Sequence, residues 1–165
     1  GPLLTSPLHA TNAAEAFVRI VDIGVEPYLV STSVVAVLAQ RLVGKICPSC
    51  KEKDPDAMEK LKQSHYPVAP SASARFFKGR GCQQCRDTGF LGRTVVYELL
   101  KNAGSIKRAV LKQAPASEVK RLAVTQGMRM LEEVALIKAQ EGVTSVDEII
   151  PLHGAESFDV SVERM

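Results

Sequence analysis

ICPSCK at residues 46–51 and GCQQCRDTGFLGRT at residues 81–94 hold all four cysteines of the chain, as two C-x-x-C pairs. Cys47 pairs with Cys50 and Cys82 with Cys85, and thirty-one residues separate the two pairs. A C-x-x-C turn presents two thiolates to one point, and two such turns complete a tetrahedron. Four thiolates leave no open position, so the metal that fits is a structural zinc. Pro48 fixes one φ angle inside the first turn, and Gly81 keeps a Cβ out of the second. Lys45, Lys51, Arg80 and Arg86 flank the pairs, and their charge is expected to favour thiolate over thiol. A redox dithiol and two unrelated disulfides are the competing readings. The first leaves one pair surplus. The second suits a secreted chain, and no secretory segment is visible. The chaperone repeat C-x-x-C-x-G-x-G is not matched, because Arg86 and Asp87 precede Gly89.

The rest of the 165 residues fits one compact domain or two small ones. Apolar residues make up 45% and charged residues 24%, the balance of a globular protein. Net charge is only +3 and aromatics are 5%, which argues against a general nucleic-acid binder. No apolar run is long enough to span a bilayer. Reduced cysteines available to a metal suit the cytoplasm.

Before the cysteines, residues 3–6 read as the end of a strand, and Gly1-Pro2 as a protease-cleavage scar. Thr11 or Asn12 caps a helix over residues 13–23, which Gly24 ends. Pro27 opens a second helix to about Ala39, apolar over most of its circumference and therefore expected to be buried. Residues 40–46 read as a strand leading into Cys47. Between the pairs, residues 55–64 suggest a short helix and residues 67–74 an exposed loop, with Phe76 and Phe77 as packing anchors. Gly89 and Gly92 suggest a tight turn around Phe90-Leu91, and residues 94–100 a strand. Three helices follow, over residues 105–113, 117–126 and 130–141, with Ser117 as a cap. Ser145 caps a last helix over residues 146–150, which Pro151 stops. Residues 152–165 show no period and read as a mobile tail. No G-x-x-x-x-G-K-[ST], G-x-G-x-x-G, G-x-S-x-G or H-E-x-x-H motif occurs.

The runs LHATNAAEAFVRIVDIGVEPYLV from Leu8, AQRLVGKICPSCK from Ala39, GCQQCRDTGFLGRTVVYELL from Gly81 and QGMRMLEEVALIKAQEGVTSVDEI from Gln126 resemble one family. It is the tetracysteine branch of the secretion ATPases, the assembly motors of type II secretion and type IV pilus systems. The resemblance covers roughly residues 5–150, in the family's order. It implies an α/β chain, mostly α: the end of a RecA-like motor core at 1–46, a tetracysteine zinc module with its returning strand at 47–101, a helical subdomain at 102–151 and a tail at 152–165. It implies a fragment of a hexameric ATPase, cytoplasmic and peripheral to the bacterial inner membrane. Neighbouring subunits and an inner-membrane platform protein are the implied partners, with membrane association through partners and no nucleic acid. Cys47, Cys50, Cys82 and Cys85 match the zinc ligands. His9 matches the histidine that faces the nucleotide, and Arg19 an arginine at a subunit contact; both are expected at an ATP site, with Mg2+ in the intact protein. The family's box runs closer to T-L-H-T-N, whereas Pro7 precedes Leu8 here and Ala10 follows His9. The phosphate-binding loop would lie upstream, so the 165 residues are expected not to hydrolyse ATP alone. The other function class is a stand-alone zinc-ribbon module that binds nucleic acid or protein. The low net charge and scarce aromatics count against nucleic acid. In either class, zinc is expected to hold the insertion 51–81 in one shape.

Overall fold

The computed structural model describes residues 4–153 and, for the backbone, residues 158–164. Gly1-Pro2 lies outside the described residues. In chain order the elements are β1 (Leu4–Ala10), α1 (Ala13–Asp22), α2 (Pro27–Ser33), β2 (Val34–Ile46), β3 (Lys51–Lys53), α3 (Ala57–Gln63), β4 (Phe77–Gly79), β5 (Phe90–Lys101), α4 (Gly104–Leu111), α5 (Ala116–Thr125), α6 (Leu131–Gln140), α7 (Val146–Ile149) and β6 (Phe158–Arg164). Single 3-10 turns cover Gln83–Cys85 and Ile150–Leu152. The fold class is mixed α/β, with helix in excess of strand. Four strands form one sheet in the order β1-β6-β2-β5, and β3 and β4 form a separate pair.

The chain divides into two compact units. The first comprises Gly1–Gln40, Tyr97–Met130 and Glu156–Met165, and the second Arg41–Val96 and Leu131–Ala155. Strands β2 and β5 each run through both. The units interleave, so they cut across the consecutive segments 1–46, 47–101, 102–151 and 152–165 expected from the sequence.

In the first unit, Asn12 caps α1 by accepting the Glu15 N–H at 3.0 Å. Ala13, Ala14, Ala16 and Phe17 form its buried face. A second acceptor comes from far along the chain: the buried Glu98 carboxylate takes the Ala13 N–H at 2.7 Å, where the positive end of the helix dipole favours a charge. Gly24 follows at φ +95, the left-handed conformation expected of a helix stop.

Five expectations need correction. The second helix ends at Ser33 rather than Ala39, and residues 34–46 form one long strand. The apolar run 34–39 holds three valines and is mostly buried, with Val35 exposed, and so short an apolar run reads equally as helix or strand. No tight turn surrounds Phe90-Leu91, because β5 already begins at Phe90. Ser117 is not a cap: α5 starts one residue earlier, with Pro115 at the cap position and no side-chain cap bond. Ser145 holds the cap position of α7, but its buried Oγ makes no hydrogen bond. The tail also departs from expectation over 158–164. There β6 pairs antiparallel with β1, from Leu4↔Arg164 to Ala10↔Phe158, and with β2 from Val34↔Arg164 to Ala39↔Val160. The sheet neighbours on both sides supply the order that local sequence does not. Residues 154–157 and 165 of that expected tail lie outside the described residues.

The second unit has its own core, in which Val43, Leu61, Phe76, Val96, Leu136 and Ile149 are all buried. Phe76 is thus the anchor expected of it, while Phe77 is half-buried. Within the insertion the buried Asp54 accepts from Lys60 at 3.2 Å, and Lys60 also reaches Asp147 at 2.9 Å. The residue 67–74 loop carries no helix or strand.

Candidate metal centre

Strand β2 delivers Cys47 directly after Ile46, and the chain turns at once: the Cys50 N–H donates to the Cys47 carbonyl at 3.3 Å. The second pair is a single 3-10 turn entered from extended backbone at Cys82. Arg86 and Asp87 then take φ +52 and +60, a left-handed reversal rare outside glycine. The Asp87 N–H holds that reversal by donating to the Cys82 carbonyl at 2.9 Å.

The two turns are joined through backbone. The Cys47 N–H donates to the Gly89 carbonyl at 2.9 Å, and the Arg80 N–H to the Cys50 carbonyl at 3.0 Å. Strands β3 and β4 pair from Lys51↔Gly79 to Lys53↔Phe77, and the Ser49 hydroxyl hydrogen-bonds Gln84. Gly79 and Gly89 cross where no side chain fits. A Cβ on Gly89 would stand 2.5 Å from the Gly79 carbonyl oxygen, and a Cβ on Gly79 would run into the Gly89 carbonyl.

All four Sγ atoms lie within 4.8 Å of one another. Cys47 and Cys82 are 3.9 Å apart, Cys50 and Cys85 3.9 Å, and Cys82 and Cys85 3.6 Å. A tetrahedron with Zn–S bonds of about 2.3 Å has S···S edges of about 3.8 Å. Disulfide sulfurs would be about 2 Å apart, and all four cysteines are free thiols. Cys47, Cys50 and Cys85 are buried and Cys82 is half-buried. The donor set and its spacing fit zinc.

The electrostatics differ from expectation. Burial pushes the Cys85 thiol up, but N–H groups aimed at its Sγ, together with hydrogen bonds from the Cys82 and Cys50 thiols, outweigh that and bring it down to about 7. The donors are Cys82 at 3.2 Å and Gly89 at 3.3 Å. Burial dominates at Cys50 and, with the neighbouring sulfurs, pushes it up to about 12 against one N–H bond from Gly81. The flanking cations are not among these causes. The Lys51 ammonium is turned elsewhere: it donates to the Gly142 carbonyl at 2.7 Å and lies 4.5 Å from the centre of the Phe77 ring.

The fold brings together only the four cysteines among the site residues expected from sequence. His9 is exposed on β1, in backbone register with Asp159, and Arg19 is exposed in the last turn of α1; both belong to the first unit. His65 and His153 are exposed and do not join the cysteine cluster. Sequence reasoning missed Gly79 and Gly89 as the crossing that seats the two turns. The signal for them was a glycine three residues before one cysteine pair and another four residues after it. No local signal marks Glu98, whose partner is eighty-five positions away.

A family model described as "Type II/IV secretion system protein" matches residues 1–151. The chain is 37% identical over 153 residues to the "Type IV pilus assembly ATPase PilB" of Thermus thermophilus, covering 91% of this chain and 17% of that protein. It is 37% identical over 150 residues to the "Type II secretion system protein E" of Pseudomonas aeruginosa, covering 91% and 29%. It is 34% identical over 152 residues to the "Type II secretion system ATPase E" of Vibrio cholerae, again covering 91% and 29%. The chain thus spans less than a third of the length of each of these relatives.

Proposed function

The chain belongs to the type II/IV secretion system protein family, and from that premise we propose that it is the carboxyl-terminal part of a cytoplasmic, hexameric ATPase that drives pilus or pseudopilus assembly. Four-cysteine coordination of a structural zinc is part of the proposal, with Cys47, Cys50, Cys82 and Cys85 as ligands. When bound, the zinc supplies a four-way crosslink and no chemistry of its own. The chain's residues do the rest: the two turns aim the sulfurs, and the Cys82 and Gly89 N–H groups hold charge on Cys85. Residues 1–46 serve as the end of a RecA-like core, with His9 at the nucleotide and Arg19 at a subunit contact. Neighbouring subunits and an inner-membrane platform protein are the partners. Among the described residues no helix is long and apolar enough to cross a membrane, which fits attachment through partners.

The observation that carries this reading is the family match over residues 1–151. The sulfur spacing supports the metal within it. The 165 residues contain no G-x-x-x-x-G-K-[ST] loop to cradle phosphates, so no ATP hydrolysis above background is expected of this chain by itself. Turnover in a phosphate-release assay of the purified chain would contradict that. The experiment that tests the zinc assignment is elemental analysis of protein purified without added metal, with a thiol titration alongside. One zinc per chain and four masked thiols are expected. Metal-free protein with four reactive thiols overturns the assignment. The motor reading is tested in the longer protein that carries this chain, where nucleotide hydrolysis and a six-subunit assembly are expected and an inactive monomer would refute it.

A further inference from the structure

We propose that the outward face of α4, with the recess at its amino-terminal end, is a docking surface for an acidic amphipathic segment of another protein. The inference rests on one unit of the chain and does not depend on the motor reading. Charge is its first ground. Residues 101–130 carry seven lysines and arginines against one acid, Glu118. That is a net +6 inside a chain of net +3, so the remaining residues together are negative. The salt bridges found among the described residues involve Lys60 and Lys78, and none involves α4.

The second ground is how the cations are presented. Ile106, Ala109 and Val110 face inward on α4 and are buried. Lys107, Arg108 and Leu111 face out, with Lys112 directly after. Leu111 is 47% exposed in the middle of that basic stripe. About half of this leucine stays in solvent, where it gives an apolar contact to a partner already held by charge.

A concave feature adjoins the stripe. A recess of about 260 Å³ is lined by Leu99, Lys101, Ala103, Ala123 and Met128. Gln126, in its wall, donates to the Ser105 hydroxyl at 2.6 Å, which places the recess at the start of α4. Leu99, Ala103, Ala123 and Met128 give the recess apolar surface, and Lys101 adds a cation to its lining. An apolar side chain from an acidic segment fits this combination, because opposite charge steers the encounter and the recess gives register.

Two other anionic partners fit less well. A helix that lies in a membrane interface needs its apolar face free to enter the lipid, and the apolar face of α4 is turned into the protein. Binding of single-stranded nucleic acid needs stacking aromatics among the cations, and residues 101–130 contain none.

The test uses the 165-residue chain and a short fluorescein-labelled amphipathic peptide of Glu and Leu, followed by anisotropy. Saturable binding is expected, weakening with added salt. The triple variant K107E/R108E/K112E is expected to lose on the order of tenfold or more in affinity, since like charges then face each other across the contact. Leu111→Ser and Leu99→Ser are each expected to lose several-fold. All of these positions are exposed, and unchanged thermal unfolding shows that the variants fold. Absence of peptide binding overturns the proposal, as does undiminished binding by the triple variant. Equal affinity for poly-glutamate removes the apolar half of the argument and overturns it too. Tighter binding to phosphatidylserine vesicles or to oligo-dT would assign the surface to lipid or nucleic acid instead.

Discussion

Two glycines set the geometry at the cysteines. Gly79 and Gly89 let two backbones cross at a distance that excludes any side chain. Gly79→Ala is therefore expected to destabilise the second unit by on the order of 3 kcal/mol or more, because backbone rather than a pliable side chain must move. The same variant should hold less metal. Gly24 provides the contrast, with a left-handed φ of +95 but open space around it. Gly24→Ala should cost only the conformational term, about 1 kcal/mol. Denaturant unfolding of both variants separates the two effects, and equal losses would remove the crossing as the cause. A second prediction concerns protons. Cys85 is lowered to about 7, so its thiolate contributes stability above its ordinary value, and that contribution is lost as pH falls through about 7. Cys50 is raised, so its thiol persists through neutral pH. Zinc takes only thiolates. Metal binding should thus release about one proton fewer from Cys85 at pH 8 than at pH 6. Calorimetry in buffers of differing ionisation enthalpy counts them, and a constant number across that range would show that Cys85 is not the lowered group. The clustering of the four cysteines was legible from their spacing. The source of the Cys85 shift was not, because sequence displays lysines and arginines but hides which backbone N–H points at a sulfur.

The junction of α2 and β2 shows how elements are decided from outside themselves. Residues 27–39 are mostly apolar, broken only by Ser31, Thr32 and Ser33, and periodicity alone does not separate helix from strand there. The point where helix gives way to strand is bonded by Asn102, about seventy residues away. Its Nδ2 donates to the Val34 carbonyl at 2.7 Å and the Ser31 carbonyl at 3.1 Å, and its own N–H to the Val35 carbonyl at 2.9 Å. Those carbonyls lie where the helix ladder stops, so a distant side chain satisfies groups that α2 cannot. Asn102→Ala should therefore cost about 3 kcal/mol, since buried carbonyls lose their donor. Asn102→Asp should cost more, because a carboxylate would face those carbonyls. Thermal unfolding measures both, and a loss below about 0.5 kcal/mol in the alanine variant would mean that water replaces the amide without penalty. Other helices needed no such help. Helices α1, α4, α5 and α6 fall within one or two residues of where periodicity and glycine stops put them.

The division of the whole chain was hidden for a similar reason. In sequence, the helices after residue 102 form one block. In the fold, α4 and α5 belong to the first unit and α6 and α7 to the second, with the cysteines. Backbone and side-chain bonds bind α6 and α7 there. The Ile46 N–H donates to the Val143 carbonyl at 3.0 Å and the Thr144 hydroxyl to the Gly44 carbonyl at 2.7 Å. The Gly44 N–H donates to the Glu148 carboxylate, and Lys51 caps the end of α6 at Gly142. Gly44 and Ile46 lie just before Cys47, and Lys51 directly after Cys50, so these bonds share backbone with the first cysteine turn. Loss of metal should accordingly spread beyond the insertion. With zinc removed by a chelator under reducing conditions, or with Cys47→Ser or Cys82→Ser, amide exchange is expected to rise by at least tenfold in residues 51–81. It should rise also in α6 and α7, while α1, α4 and α5 keep their protection. Exchange confined to residues 51–81 would mean that the four bonds around Gly44 and Gly142 hold α6 and α7 without the metal. Equal loss of protection in α4 and α5 would mean that the chain unfolds as one cooperative body and that the two units are not separately stable.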